Sequence, residues 1–227
     1  MNIVTRHPST QVLAVLDDAA AGLALLELSS ALARSQQRGL SVVYVESTRS
    51  LIAATLPFAQ VLSHAGSGWL PLRAEDIERG YRAQAARLRE LAARIAVRDA
   101  LSWSMRVMRG SLSETALDLC SESDLLLLSA SAPVFQPGAS RGGRRRPVVK
   151  VVDDGSDAAQ RALQVAAQLV QSLAGVLQVV RIPEAADLAA SRDTLATLSH
   201  ADLLVLPRRP GDRAALALLR GPVLLVS

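Results

Sequence analysis

Short, wholly apolar runs alternate along this chain with longer stretches in which apolar residues recur every three or four positions, the signature of buried strands separated by amphipathic helices. One phrase occurs twice. Val12-Leu-Ala-Val-Leu-Asp-Asp18 returns as Val148-Val-Lys-Val-Val-Asp-Asp154, each followed by an Ala/Leu-rich stretch. Asp17 and Gly39 are 22 positions apart, as are Asp153 and Gly175, and each glycine opens a second apolar run, Leu40–Val45 and Val176–Val180. Strand, helix and strand written twice predict parallel crossovers, hence two α/β units.

The pattern assigns strand one to Gln11–Leu16 and a helix up to Arg38, which Gly39 is expected to stop. Strand two is followed by a stretch from Thr48 to Leu72 with no counterpart in the second half, read as a lid, a docking segment or an extra helix. Ala74–Val97 is a helix with Ile77, Tyr81, Ala85, Leu88 and Leu91 on one face. Leu101–Met108 alternates as an edge strand does. Ser111 and Glu114 have capping-box spacing ahead of the helix that holds Cys120, and Asp124–Ser129 reads as a strand buried on both faces. Residues 131–147 carry three prolines, three glycines and four arginines, a linker composition. The second unit continues through helices Ser156–Ala174 and Glu184–Leu198, then Ala201-Asp-Leu-Leu-Val-Leu206, a short helix Arg213–Leu219 and a last strand, Pro222–Val226. Asp17 and Asp124 are 107 positions apart but Asp153 and Asp202 only 49, so the second copy is contracted by about a strand and a helix.

Composition adjusts this picture in three ways. Half of the 227 residues are hydrophobic but only 3% aromatic, so Ala, Leu and Val build the core and base-stacking platforms are not expected. The formal charge of +4 is nearly all arginine, Lys150 being the only lysine, and is read as coding bias rather than a nucleic-acid surface. A single cysteine excludes an internal disulfide and a multi-cysteine metal site, which with the absence of a signal-like or membrane-length apolar stretch leads to the expectation of a soluble, cytoplasmic protein.

Candidate chemistry is sparse. Gly138-Ala-Ser140-Arg-Gly142 matches a nucleophile elbow in letters, but Pro137 before it and Pro147 after it belong to a linker, not to a strand–turn–helix. His7, His64 and His200 lack metal-ligand spacing, so no metal is predicted. Cys120 at an apolar helix position reads as a small core residue. The paired acids Asp17-Asp18 and Asp153-Asp154 could ligate magnesium or cap the helices that follow, and capping is the reading taken. The Arg141–Arg146 cluster reads as solvated linker charge. Arg208, Arg209 and Arg213 directly follow a strand and could receive an anion by side-chain charge.

Val-Val-Asp-Asp154-Gly155-Ser156, the Ala-rich helix, the second strand, Ala-Asp-Leu-Leu-Val-Leu206 and Gly-Pro-Val-Leu-Leu-Val226 together resemble the skeleton of the universal stress protein family. The first half resembles it too, through Asp18, the Gly110-Ser-Leu-Ser-Glu turn and Ser-Asp-Leu-Leu-Leu-Leu128. The resemblance implies doubly wound sheets of strand order 3-2-1-4-5, with any ligand at the carboxyl ends beside strand one. It implies that Asp18 and Asp154 occupy the position lying against a nucleoside. The glycine-rich phosphate loop of nucleotide-binding members is absent after both Leu128 and Leu206, and Pro207 and Pro210 delete amide donors there. The expectation is therefore two tandem doubly wound parallel-sheet domains, 1–143 and a shortened 144–227, packed as an internal pseudo-dimer. Its function would be non-catalytic, in stress response or regulation through protein–protein contact. The alternative is a weak ATP/AMP or small-anion binder using Asp18, Asp154, Gly155, Ser156, Arg208 and Arg209. A homodimer through a free edge at Pro222–Val226 is also expected.

Overall fold

The computed structural model describes residues 11–62, 68–130, 146–183, 188, 192–198, 201–209, 213–219 and 221–227. In chain order these form β1 (Gln11–Leu16), α1 (Ala19–Ser35), β2 (Gly39–Ser47), α2 (Thr48–Ala53), β3 (Gln60–Leu62), β4 (Trp69–Pro71), α3 (Ala74–Asp99), β5 (Trp103–Gly110), α4 (Leu112–Leu119) and β6 (Leu125–Ala130). The second half supplies β7 (Val148–Asp153), α5 (Asp157–Leu173), β8 (Val176–Arg181), α6 (Arg192–Leu198), β9 (Leu203–Pro207), α7 (Arg213–Leu218) and β10 (Gly221–Val226). The histidines, Ser140 with its flanking glycines, Pro210 and nearly all of the arginine-rich linker lie outside the described residues.

Eight strands form one sheet in the order β5-β2-β1-β6-β10-β9-β7-β8. The first four follow the expected 3-2-1-4 order, and the last four follow 5-4-1-2, with no third strand of that half among the described residues. Every neighbouring pair in this sheet is parallel except β6 with β10, which are antiparallel over the whole of both strands. The two wound halves share one continuous sheet, and one expectation is corrected here: Pro222–Val226 is an interior strand, hydrogen-bonded to β6 on one side and β9 on the other. A homodimer through that edge is thus not available. The run is apolar on both faces, as a strand covered on both sides must be, and such a pattern does not distinguish a central strand from an edge. Because β10 meets β6 head to tail, the carboxyl ends of the two halves point to opposite ends of the sheet.

Side chains alternate across the pleat into two cores. Val12, Ala14 and Leu16 of β1, with Leu127 and Leu224, pack under α1, α3 and α5, whereas Leu13, Val15, Leu128 and Leu225 pack under α4, α6 and α7. Cys120 lies in this second core, as its apolar surroundings in the sequence predict. The helix of 74–97 is observed as α3, burying Tyr81, Leu88, Ala92, Ile95 and Ala96. β5 is an edge strand with alternating exposure, as its pattern predicts. Ser111 occupies the N-cap of α4 but makes no side-chain cap hydrogen bond, so the capping box does not close.

The repeated glycines have a different task from the one expected. Left-handed backbone at the helix ends is adopted by Gln37 (φ 53°) and Ala174 (φ 50°), not by Gly39 or Gly175. The glycines instead permit close approach. A Cβ on Gly39 would stand 2.6 Å from Ser102 Oγ, and one on Gly175 would stand 2.7 Å from the main-chain oxygen of Pro147. Gly175→Ala must push the start of β8 away from the chain entering β7, where Val176 N donates to Pro147 O at 2.8 Å. A loss of about 1–3 kcal/mol is expected from this overpacking, read as a lower urea midpoint at unchanged slope.

Candidate functional site

In the second half the chain leaves its first strand, β7, for α5 on one face and its fourth, β9, for α7 on the other, the switch point at which doubly wound sheets open a crevice. That point lies between the carboxyl ends of β7 and β9, and five of the six candidate residues gather there. Asp153 and Asp154 end the β7 run, Gly155 turns the chain with φ +81°, and Ser156 caps α5. Nothing lies within 4 Å of a Cβ built on Gly155, so its requirement for glycine is conformational, not steric. Ser156 Oγ accepts from Ala159 N at 3.1 Å, satisfying one open donor of the helix.

Asp154 is the centre of this group. One carboxylate oxygen accepts from Ser156 N at 2.9 Å and from Ser156 Oγ at 2.6 Å, while the other lies 2.6 Å from Arg209 Nε. Both side chains of the ion pair are buried, Asp154 at 3% and Arg209 at 12% exposure. Burial alone would raise the Asp154 pKa, but the Ser156 hydrogen bonds and the Arg209 charge outweigh it and hold the carboxyl below its ordinary value. Arg208 turns elsewhere. Its Nη1 donates to Cys120 O at 2.9 Å, at the carboxyl end of α4, and its amide donates to Val226 O at 2.7 Å. Asp153 accepts from Gly155 N at 3.1 Å and faces Arg181 at 3.8 Å near solvent. Two of the three arginines expected to receive an anion, Arg208 and Arg209, thus reach partners within the chain, and Asp154–Arg209 ties the exit of β9 to the turn after β7.

The first half places its acids differently. Asp18, the sixth candidate, is the N-cap of α1 and accepts from Ala20 N at 2.9 Å. Asp17 is partly covered, and burial, then the nearby Asp18 charge, push its carboxyl pKa up. At the ends of β2 and β5, Glu46 accepts from Arg109 Nε at 2.9 Å and Glu78 from Arg109 Nη2 at 3.3 Å. Deeper in, the Tyr44 hydroxyl donates to Gln84 Oε1 at 3.0 Å and its ring stands edge-on to Tyr81, 6.4 Å between centroids. Burial, followed by the neighbouring Tyr81 and Glu46, raises the Tyr44 pKa, which keeps that phenol a donor. Asp18 and Asp154, equivalent in sequence, are therefore at opposite ends of the sheet and do not form one site.

A cleft unmarked by any motif opens at the seam of the halves, with a volume of about 470 Å3. It is lined by Gln36 and Arg38 after α1, Asp124 at the start of β6, Arg161 and Gln164 of α5, and Ser227. Arg38 Nη1 lies 3.4 Å from Asp124, and Arg161 Nε donates to Ser227 O at 2.9 Å. Its lining residues come from four distant stretches of sequence, so only the β6–β10 pairing could reveal it. Among the described residues no group of three or more His, Cys, Asp or Glu stands close enough to hold a metal ion. No helix among them is long and apolar enough to cross a membrane.

No protein-family model matches the chain, and no curated protein matches its sequence. Solved structures do match. A universal stress protein from Archaeoglobus fulgidus superposes with a TM-score of 0.50 at 12% identity, over 96% of this chain and 97% of that one. The universal stress protein UspA from Lactobacillus plantarum aligns over 77% of this chain and 100% of its own, at 14% identity and a TM-score of 0.35. With its mostly parallel sheet, helices on both faces and the strand orders 3-2-1-4 and 5-4-1-2, the chain has the α/β fold of the universal stress proteins.

Proposed function

We propose that this chain is a non-catalytic, cytoplasmic regulator of the stress-protein type that acts by contacting a protein partner. The observation that supports the reading is the filled switch point of the second half. There Asp154, which by resemblance would lie against a nucleoside, already has Ser156 and Arg209 on its carboxylate. A nucleotide would have to displace a buried ion pair, and Pro207 offers no amide to a phosphate in return. Thermal shift with ATP, ADP and AMP, each with magnesium at millimolar concentration, is expected to leave the melting temperature unchanged. A ligand at 100 times its Kd adds about 2.7 kcal/mol, so a clear rise with any of the three overturns this reading.

The seam cleft favours a second reading, binding of a small anion. Arg38 and Arg161 face a space within the usual range for ligand sites, with the Gln36 and Gln164 amides beside them. On this reading phosphate or AMP raises the melting temperature and Arg161→Ala abolishes the rise.

A further inference from the structure

The excursion after β2 folds as the short helix α2 followed by a two-stranded hairpin, with Gln60 opposite Pro71, Val61 opposite Leu70 and Leu62 opposite Trp69. All six hairpin residues are exposed, on both faces of the ribbon. Phe58 is 76% and Trp69 66% exposed, and Ile52, Leu56, Val61, Leu62 and Leu70 are open to solvent beside them. Half of the chain's four Phe and Trp residues therefore stand in water within one segment. We propose that this hairpin is a self-association surface, and that its occupant is the same hairpin of a second copy. The proposal deepens the partner-binding reading above by naming the partner and the surface.

Three observations select a second copy. The first is area: the seven exposed apolar side chains, on α2, the stretch after it and both ribbon faces, together present on the order of 800 Å2, more than a monomer ordinarily leaves open and enough for one side to supply a substantial part of a standard interface. The second is charge. The protein carries a formal +4, so two copies repel at a distance, yet residues 56–62 and 69–72 include no charged side chain. Like surfaces can therefore meet there without opposing ions, and an uncharged apolar patch is complementary to itself.

The third is the backbone. A two-stranded ribbon is marginal alone, and it gains from further strands. Leu72 N donates to Ala59 O at 3.0 Å, which places the Val61–Leu70 pair on the hydrogen-bonded register and turns the main-chain groups of Gln60 and Leu62 outward. The matching outward positions on β4 are Trp69 and Pro71, and the proline has no N–H to offer. β3 is thus the better open edge. Antiparallel pairing of β3 with its symmetry mate about a twofold axis gives a four-stranded ribbon, β4-β3-β3-β4, and brings Leu62 and Trp69 of both copies onto one face.

The test is sedimentation velocity on the full chain across low to high micromolar concentration, for the wild type and for Leu62→Glu. The wild type is expected to be dimeric. Leu62→Glu, which sets like charges across the dyad, is expected to be monomeric, with its far-UV dichroism and urea midpoint at low concentration unchanged because the position is exposed. A wild type that stays monomeric overturns the proposal, as does a dimer that survives Leu62→Glu. Sedimentation of a monomeric wild type with anionic phosphatidylserine vesicles also overturns it, by giving the hairpin to a membrane surface. None of these failures changes the nucleotide thermal-shift result, so the two readings stand or fall separately.

Discussion

Leu127→Ala is expected to lower the stability of the whole molecule by about 3 to 4 kcal/mol, in the middle of the usual range for a buried leucine truncation. Leu127 is fully buried at the middle of β6, paired with Ala14 of β1 on one side and Leu224 of β10 on the other. It is close-packed on the face covered by α1 and α5, so the cavity left by truncation cannot collapse without moving two strands. Because β6 is where the halves join, the loss should be shared. Both tryptophans, Trp69 and Trp103, lie in the first half, so their fluorescence follows that half while far-UV dichroism follows both. In urea the two signals of Leu127→Ala are expected to shift together to one lower midpoint. If the fluorescence midpoint falls while a second dichroism step stays at the wild-type position, the halves 1–143 and 144–227 unfold as independent units and the seam does not couple them.

Asp154→Ala is expected to cost about 3 to 5 kcal/mol at neutral pH, because it leaves the Arg209 guanidinium buried without its counter-charge and Ser156 without its acceptor. The pH dependence carries the diagnostic sign. The folded Asp154 pKa lies below its unfolded value of about 3.9, so the pair's contribution is fully present above that value. It is lost as pH falls through the lower folded value. The gap between wild type and Asp154→Ala in chemical denaturation should therefore be constant from pH 7 to about pH 5 and close in stronger acid. Asp18→Ala, which removes only an exposed cap on α1, should cost about 1 kcal/mol by comparison. Equal losses at Asp18 and Asp154 would mean that the Arg209 contact adds nothing.

Much of the secondary structure was readable because it is a local property. Strand β1 and its echo β7, the long amphipathic α3 and the alternating edge of β5 follow from periods of two or 3.6 residues that each segment carries within itself. The order of the repeated phrases also placed Asp18 and Asp154 correctly at strand ends. Close approach was less legible: Gly39 and Gly175 look like helix stops, but Ser102 and Pro147, far away in sequence, explain them.

By itself, then, the sequence determined two wound halves, the second shorter by a strand and a helix; the acid expected to cap the helix after the first strand does so at Asp18, but in the second half Ser156 caps α5 in place of Asp153 and Asp154. Tertiary structure alone decided that Pro222–Val226 closes against β6 inside one sheet, that Arg209 spends its charge on Asp154, and that the 48–72 excursion projects an uncovered apolar hairpin. The physical reason is common to all three. A strand buried on both faces, a buried arginine and an exposed tryptophan each take their meaning from the neighbour that is or is not there, and such neighbours are set by long-range pairing rather than by any local pattern.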